Sequence, residues 1–218
     1  MVMKGVLFGD KHSYTDFGLV LNSKDIALPE PKTYIVDVPC ADGSLDLSTA
    51  LTGGDIKYKN RLIKLDFTVL KPWGQLEVLR STIANHLHGK IMKVIFDADY
   101  DFFYTGRCRI TSFNTTAIPA TVSIEVDAEP YKFDIHETVI SETVSGEKTI
   151  CVDEQNMKVV PTITVSSDMT LTYKTKLYQL FTGDNIIPEL MLSSTSEDNE
   201  LLFNGQGDVT ITFRGGEL

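Results

Sequence analysis

The decisive stretch runs Lys90-Ile-Met-Lys-Val-Ile-Phe96, then Asp97-Ala-Asp99-Tyr-Asp101, then Phe102-Phe-Tyr-Thr-Gly-Arg-Cys-Arg-Ile110. Two runs rich in β-branched and aromatic residues flank an acidic break, which predicts a β-hairpin with its turn at 97–101. A third run follows, in which Val122, Ile124, Val126 and Ala128 alternate with Thr121, Ser123, Glu125 and Asp127. A period of two over that length predicts a half-buried antiparallel strand. Pro130 ends it, because proline has no N–H for a ladder. Pro130, Tyr131 and Phe133 therefore read as a domain junction, with residues 1–133 before it and 134–218 after.

Charge supports that boundary. Residues 1–133 hold 15 Lys and Arg against 16 Asp and Glu, a net charge of −1. Residues 134–218 hold 5 against 14, a net charge of −9. The second part is a strongly acidic body that should repel nucleic acid and anionic surfaces, so no specific nucleic-acid binding is expected. No run approaches the roughly 20 apolar residues of a membrane span, so no membrane insertion is expected. The N-terminus shows no apolar core followed by a small-residue cleavage site, so no secretory leader is read there. Cys40, Cys108 and Cys151 are odd in number and widely spaced, which suits free thiols rather than a disulfide framework.

Outward from this stretch the pattern is mainly β. Short strands are expected at Gly5–Phe8, Phe17–Leu21, Thr33–Val38 and Arg61–Leu70, the last with Ile63, Leu65, Phe67 and Val69 on one side. Ser44–Gly54 is polar and turn-rich and reads as an exposed loop. Lys71–His88 is the one helix: Pro72 suits its first turn, Leu76, Leu79, Ile83, Ala84 and Leu87 keep helical spacing, and Gly89 suits its end. The expected first domain is thus an α+β unit with one helix packed on a sheet or barrel. In the second part, 137–144, 148–152, 159–165, 169–177, 186–192, 201–203 and 208–214 read as short strands of a β-sandwich. Ser145-Gly146 and Gly205-Gln206-Gly207 read as turns between them.

Chemistry is hard to find. Asp97, Asp99 and Asp101 begin like a calcium loop, but that loop needs glycine at position six and glutamate at position twelve. Phe102 and Cys108 stand there instead, leaving an acidic hairpin turn. His86 and His88 are two apart on a helix and cannot share a metal, and His12 and His136 are far off in sequence. No nucleophile elbow, cysteine motif or phosphate loop is present, and nothing among the 30 acids selects a glycosidase pair. We therefore expect no catalytic residue, no cofactor and no metal. A carbohydrate-binding sandwich acting in host-surface recognition is the alternative reading. It is short of a platform, since the only tryptophan, Trp73, lies in the first domain, and Tyr173 and Phe213 fall on core-facing stripes.

Several motifs in order resemble the distal tail proteins of long-tailed bacteriophages. They are 89–97, 102–110 and 122–132, preceded by Phe8-Gly9-Asp10, Asp42-Gly43-Ser44-Leu45-Asp46-Leu47 and the strand from Arg61 to Val69, and closed by 205–214. The resemblance spans essentially the whole chain. It implies a non-enzymatic structural protein whose first domain closes into a ring, usually a hexamer, between the tail tube protein and the tail-tip hub. It implies a galectin-like second domain that supports other baseplate or receptor-binding proteins. Location at the virion tail tip, after assembly in the bacterial cytoplasm, follows from the same resemblance. A closed ring needs a heterologous interface. For it we expect edge strands and the segments 44–54 and 97–101, with Ser44, Asp46, Asp97, Asp99 and Asp101 meeting a neighbouring subunit.

Overall fold

The computed structural model describes residues 5–218. The first four residues, part of the stretch read for a leader, lie outside the described residues. The chain is mainly β with one α-helix. It divides into two compact units, one running up to Lys132 and taking in Leu218, the other Phe133–Glu217.

In the first unit the strands are β1 (Val6–Phe8), β2 (Lys11–His12), β3 (Leu19–Ile26), β4 (Ile35–Asp37), β5 (Ser44–Asp46), β6 (Arg61–Val69), β7 (Ile91–Phe96), β8 (Asp99–Asn114) and β9 (Thr121–Ala128), with α1 (Leu76–Leu87) between β6 and β7. The main sheet has the order β2-β1-β7-β8-β9-β6-β3, and the pairs are antiparallel. Alternation sets its register. Ile63 sits opposite Val126, Leu65 opposite Ile124 and Phe67 opposite Val122, all six at most 1% exposed. A slip of one residue would turn every one of them to solvent. Leu76, Leu79, Ile83 and Leu87 of α1 join the same core. Burying each such side chain is worth about 1.5–3 kcal/mol, so packing rather than helix propensity holds α1 in place.

The helix is shorter at its start than its sequence pattern. Pro72 caps a 3-10 turn at Trp73–Gln75, and the α-helix begins at Leu76. Gly89 takes a left-handed φ of +78° just past the helix, as its place in the sequence requires. The hairpin turn at 97–101 is also narrower than expected. Phe96 pairs with Asp99, so only Asp97 and Ala98 turn, and Asp99 and Asp101 stand on β8.

The boundary falls within β10 (Lys132–Asp134), and the second unit holds β11 (Thr138–Cys151), β12 (Thr162–Val165), β13 (Met169–Tyr173), β14 (Lys176–Leu180), β15 (Gly183–Ile186), β16 (Glu200–Phe213) and β17 (Gly216–Glu217). Its main sheet has the order β14-β13-β16-β12-β15, and β11 pairs with β16 over 14 residues. The expected turn at Ser145-Gly146 does not exist: both lie inside β11, opposite Gln206 and Gly205. Gly205-Gln206-Gly207 is likewise no turn but the middle of β16. Before it β16 pairs with β13, after it with β12. A Cβ on Gly205 would stand 2.4 Å from Met169 Cβ, and one on Gly207 2.5 Å from Ser166 Oγ. These glycines mark close approach of a neighbouring segment, the start of β13 at Gly205 and the bend before it at Gly207, rather than chain reversal. The run 169–177 is a hairpin, β13 and β14, turned by Lys174 at φ 55°. Around Ile186–Leu192 the strand ends at Ile186 instead of beginning there.

Candidate functional site

An exposed apolar part of the first unit lies between β3 and β6. The chain leaves the body at Glu30–Lys32 and returns at Lys57–Lys59. Lys32 donates its N–H to Lys57 O at 2.7 Å, Lys59 donates to Glu30 O at 2.8 Å, and a Lys59–Glu30 ion pair at 3.1 Å stands beside them. Beyond this base β4 and β5 form a separate two-stranded hairpin. The backbone of this arm is well satisfied. Leu47 N–H donates to Tyr34 O (2.8 Å), Tyr34 N–H to Ser48 Oγ (2.7 Å) and Ser48 N–H to Asp46 Oδ1 (2.8 Å). Asp46 is held below the usual carboxylate range by its bonds from Ser48.

The side chains of the arm make no core. No residue from 33 to 56 is buried. Tyr34 is 64% exposed, Ile35 60%, Leu45 51% and Leu51 100%. The four charges in this stretch are all acidic, Asp37, Asp42, Asp46 and Asp55. Scattered exposed leucines need no explanation, but a contiguous segment of them in a protein surface marks an interaction site.

The sequence-selected residues part company here. Ser44 and Asp46 are on β5 in the arm, where the Ser44 hydroxyl donates to Asp37 Oδ1 at 2.6 Å. Asp97 is tied inside the body: Oδ2 accepts the Gly5 N–H at 2.7 Å and Oδ1 lies 3.1 Å from His12 Nε2. Asp99 pairs with Lys132 at 3.0 Å, and that ammonium lies 4.0 Å from the centre of the Phe102 ring. Of the three aspartates only Asp101 is exposed. The sequence therefore joins in one motif residues that the fold gives different work.

At the junction, Pro130 O accepts a hydrogen bond from Arg61 Nη2, and Tyr131 meets Tyr58 edge-on at 6.1 Å. Phe133 is the first residue of the second unit and is half-buried. Arg61, which the sequence marks only as the start of a strand, is 3% exposed and lies 5.5 Å over the Tyr104 ring. Burial pushes the Tyr104 phenol up from its ordinary pKa, against the pull of Arg61. Arg61 thus anchors the end of the 122–132 run by a charge-assisted bond.

Chemistry-bearing clusters are sparse. Among the described residues no group of three or more His, Cys, Asp and Glu could hold a metal ion. His86 Nε2 sits 2.8 Å from Phe8 O, and Ile110 N–H donates to His88 Nδ1 at 3.1 Å, so both histidines serve the fold. Cys108 is fully buried, its thiol pushed up to about 12 by desolvation, while Cys40 and Cys151 are exposed free thiols. In the second unit Tyr173, Phe203 and Phe213 are buried, Tyr178 donates its hydroxyl to Glu189 at 2.8 Å, and Phe181 is 64% exposed. A groove of about 500 Å³ crosses this unit past Thr162, Thr164, Asp184, Thr212 and Arg214. Its lining offers no aromatic face for stacking beyond the buried Phe213.

No protein-family profile and no curated protein matches the chain. Among solved structures, the crystal structure of SPP1 Dit (gp 19.1), described as a paradigm of the hub adsorption apparatus in Gram-positive infecting phages, has the same fold. It superposes with a TM-score of 0.70 at 12% sequence identity, over 97% of this chain and 98% of that one.

Proposed function

We propose that this chain is a structural protein of a bacteriophage tail tip, assembling with copies of itself into a ring, a hexamer, between the tail tube protein and the tail-tip hub. The fold likeness to a phage hub protein along almost the entire length of both chains carries this reading. The exposed apolar arm gives a ring-forming unit a surface that demands a partner. The likeness to a structural phage hub protein also supports a non-enzymatic role for this chain. In this proposal residues 1–133 form the ring, with Ser44, Asp46 and Asp101 at the contact between subunits. Residues 134–218, galectin-like, support further baseplate or receptor-binding proteins. Assembly takes place in the bacterial cytoplasm and the product sits at the virion tail tip.

The test is light scattering after gel filtration, with negative-stain imaging of the peak. Six-fold rings, or multiples of the 24.3 kDa chain consistent with them, are expected. The arm gives a clean control. Its ends are hydrogen-bonded neighbours at Lys32 and Lys57, so replacing 33–56 with a short Gly-Ser link leaves the body intact and should abolish assembly. A chain that stays monomeric at high concentration, alone and with tube and hub proteins, overturns the proposal.

A further inference from the structure

The first unit carries a second exposed apolar surface, on the shoulder where β6 runs into α1. Within Leu70–Val78, Leu70 is 56% exposed, Trp73 62% and Val78 70%. The charges around it are Lys71, Glu77 and Arg80, a net +1, and Arg80 reaches Glu77 only at 3.8 Å. The arm offers the opposite: exposed Tyr34, Ile35, Leu45 and Leu51 among four aspartates and no cation between 33 and 56.

We infer that the acidic apolar arm of one copy seats on the cationic apolar shoulder of a second copy. This rests on the reading that the chain assembles with itself. Two observations select a second copy as occupant. The two surfaces are complementary in charge, four Asp against a net positive shoulder, and each holds apolar side chains that the rest of its own chain leaves in solvent. The surfaces also differ from one another, so their contact is heterologous, the kind that passes from copy to copy and closes a ring. Trp and Arg on the receiving side are the residue types that dominate interface energetics. The aspartates steer the arm to its seat, so assembly slows as salt rises.

Cys40 supplies the probe, since it is an exposed thiol in the turn between β4 and β5. Val78→Cys is introduced in a Cys151→Ser background, which leaves Cys108 buried and unreactive. A short bis-maleimide then bridges thiols that a direct disulfide cannot reach. Cross-linked dimers, and a ladder up to the ring size, are expected, and they disappear with Cys40→Ser or without Val78→Cys. Trp73→Ala should weaken association at least tenfold while leaving the melting temperature unchanged. If wild-type chain oligomerises but gives no ladder and ignores Trp73→Ala, the arm seats elsewhere: this inference falls and the ring reading stands. If the chain stays monomeric with no ladder, both alone and with tube and hub proteins, both fall. If Cys40 is shielded from maleimide only when a different tail protein is added, the occupant is that protein and this inference is overturned.

Discussion

Replacing Gly106 with alanine tests the packing on which the first unit depends. Gly106 lies in the middle of β8, opposite Met92 on β7 and Ala128 on β9. A Cβ placed there stands 2.7 Å from each of Ala128 Cα, Asp127 O and Val126 Cγ1, where ordinary contact begins at 3.4 Å. Two of the three obstacles are backbone atoms of a paired strand, so no rotamer change relieves the clash. The β8–β9 pair must open by about 0.7 Å, and Val126 and Ala128, both 0% exposed, have no room behind them. Overpacking of this kind costs about 1–3 kcal/mol, and stretching a neighbouring ladder bond adds on the order of 1 kcal/mol. The sum, about 2–4 kcal/mol, lowers the melting temperature of a unit of this size by roughly 8–15 °C. Thermal and urea melts followed by circular dichroism read it directly. Gly74→Ala is the control: nothing lies within 4 Å of its Cβ, and its φ is not positive, so it should be neutral or slightly stabilising. A Gly106→Ala chain within about 0.5 kcal/mol of wild type, the ordinary range for a harmless surface change, would show that β8 and β9 are not pressed together as described.

Other expectations follow from single features. Gly205→Ala drives its Cβ to 2.4 Å from Met169 Cβ and should cost about 1–3 kcal/mol in the second unit; a neutral result in a urea melt returns Gly205-Gln206-Gly207 to the status of a loop. Leu51→Ser, at a side chain 100% exposed, should leave the monomer melt unchanged within about 0.5 kcal/mol yet weaken self-association in sedimentation, and a clear loss of thermal stability contradicts an unpacked arm. A thiol reagent should titrate Cys40 and Cys151 at once and Cys108 only on unfolding, and rapid reaction of all three thiols at neutral pH refutes a Cys108 pKa near 12. Asp66 is held below the usual carboxylate range by the hydroxyl of Ser123 and then of Ser23. The unfolded chain therefore binds that proton first, so the stabilisation is present above the ordinary carboxylate value and is lost as pH falls through the folded one. Urea midpoints from about pH 5 to about pH 2 should show this slope, and Asp66→Asn should flatten it; identical profiles for the two chains count against the bond.

Where one physical constraint dominates, the chain is readable from its letters. On β6 and β9 alternate residues must face the core, so period two appears in the sequence and fixes both strands and their faces. The stripe Leu76, Leu79, Ile83, Leu87 fixes α1 in the same way. Glycine is where reading fails, because one letter serves three needs. Gly89 ends a helix with positive φ, Gly146 sits within a continuous strand, and Gly205 yields space to Met169. Local sequence holds no record of a strand that arrives from 36 residues upstream, so the second and third cases look like turns. In the arm the polar, turn-rich letters of Ser44–Gly54 read as a loop throughout, yet Ser44–Asp46 is a strand, β5, paired with β4. Tyr34, Val36 and Val38 alternate as a strand does, and β4 is a strand, but alternation says nothing about whether a core lies beneath it.

The same division explains how a fold can persist while identity almost vanishes. The core of the first unit asks only for apolar residues of suitable volume at alternate positions, a demand many sequences meet. Its specific requirements are few: Gly106 where two strands meet, Gly89 at the helix end, Arg61 reaching the carbonyl of Pro130. Such isolated points, set among exchangeable aliphatics, leave little for a family profile to match, yet they suffice to hold the seven strands β2-β1-β7-β8-β9-β6-β3 in register. The arm is under the opposite regime. None of its side chains between 33 and 56 is buried, so the fold of the unit places no demand on Ile35, Leu45 or Leu51. Exposed apolar residues tend to promote aggregation unless a partner covers them, and polar replacements there would cost the monomer little. In the proposed ring, their presence in a hairpin so thoroughly hydrogen-bonded along its backbone is explained by assembly, in a segment that the core does not constrain.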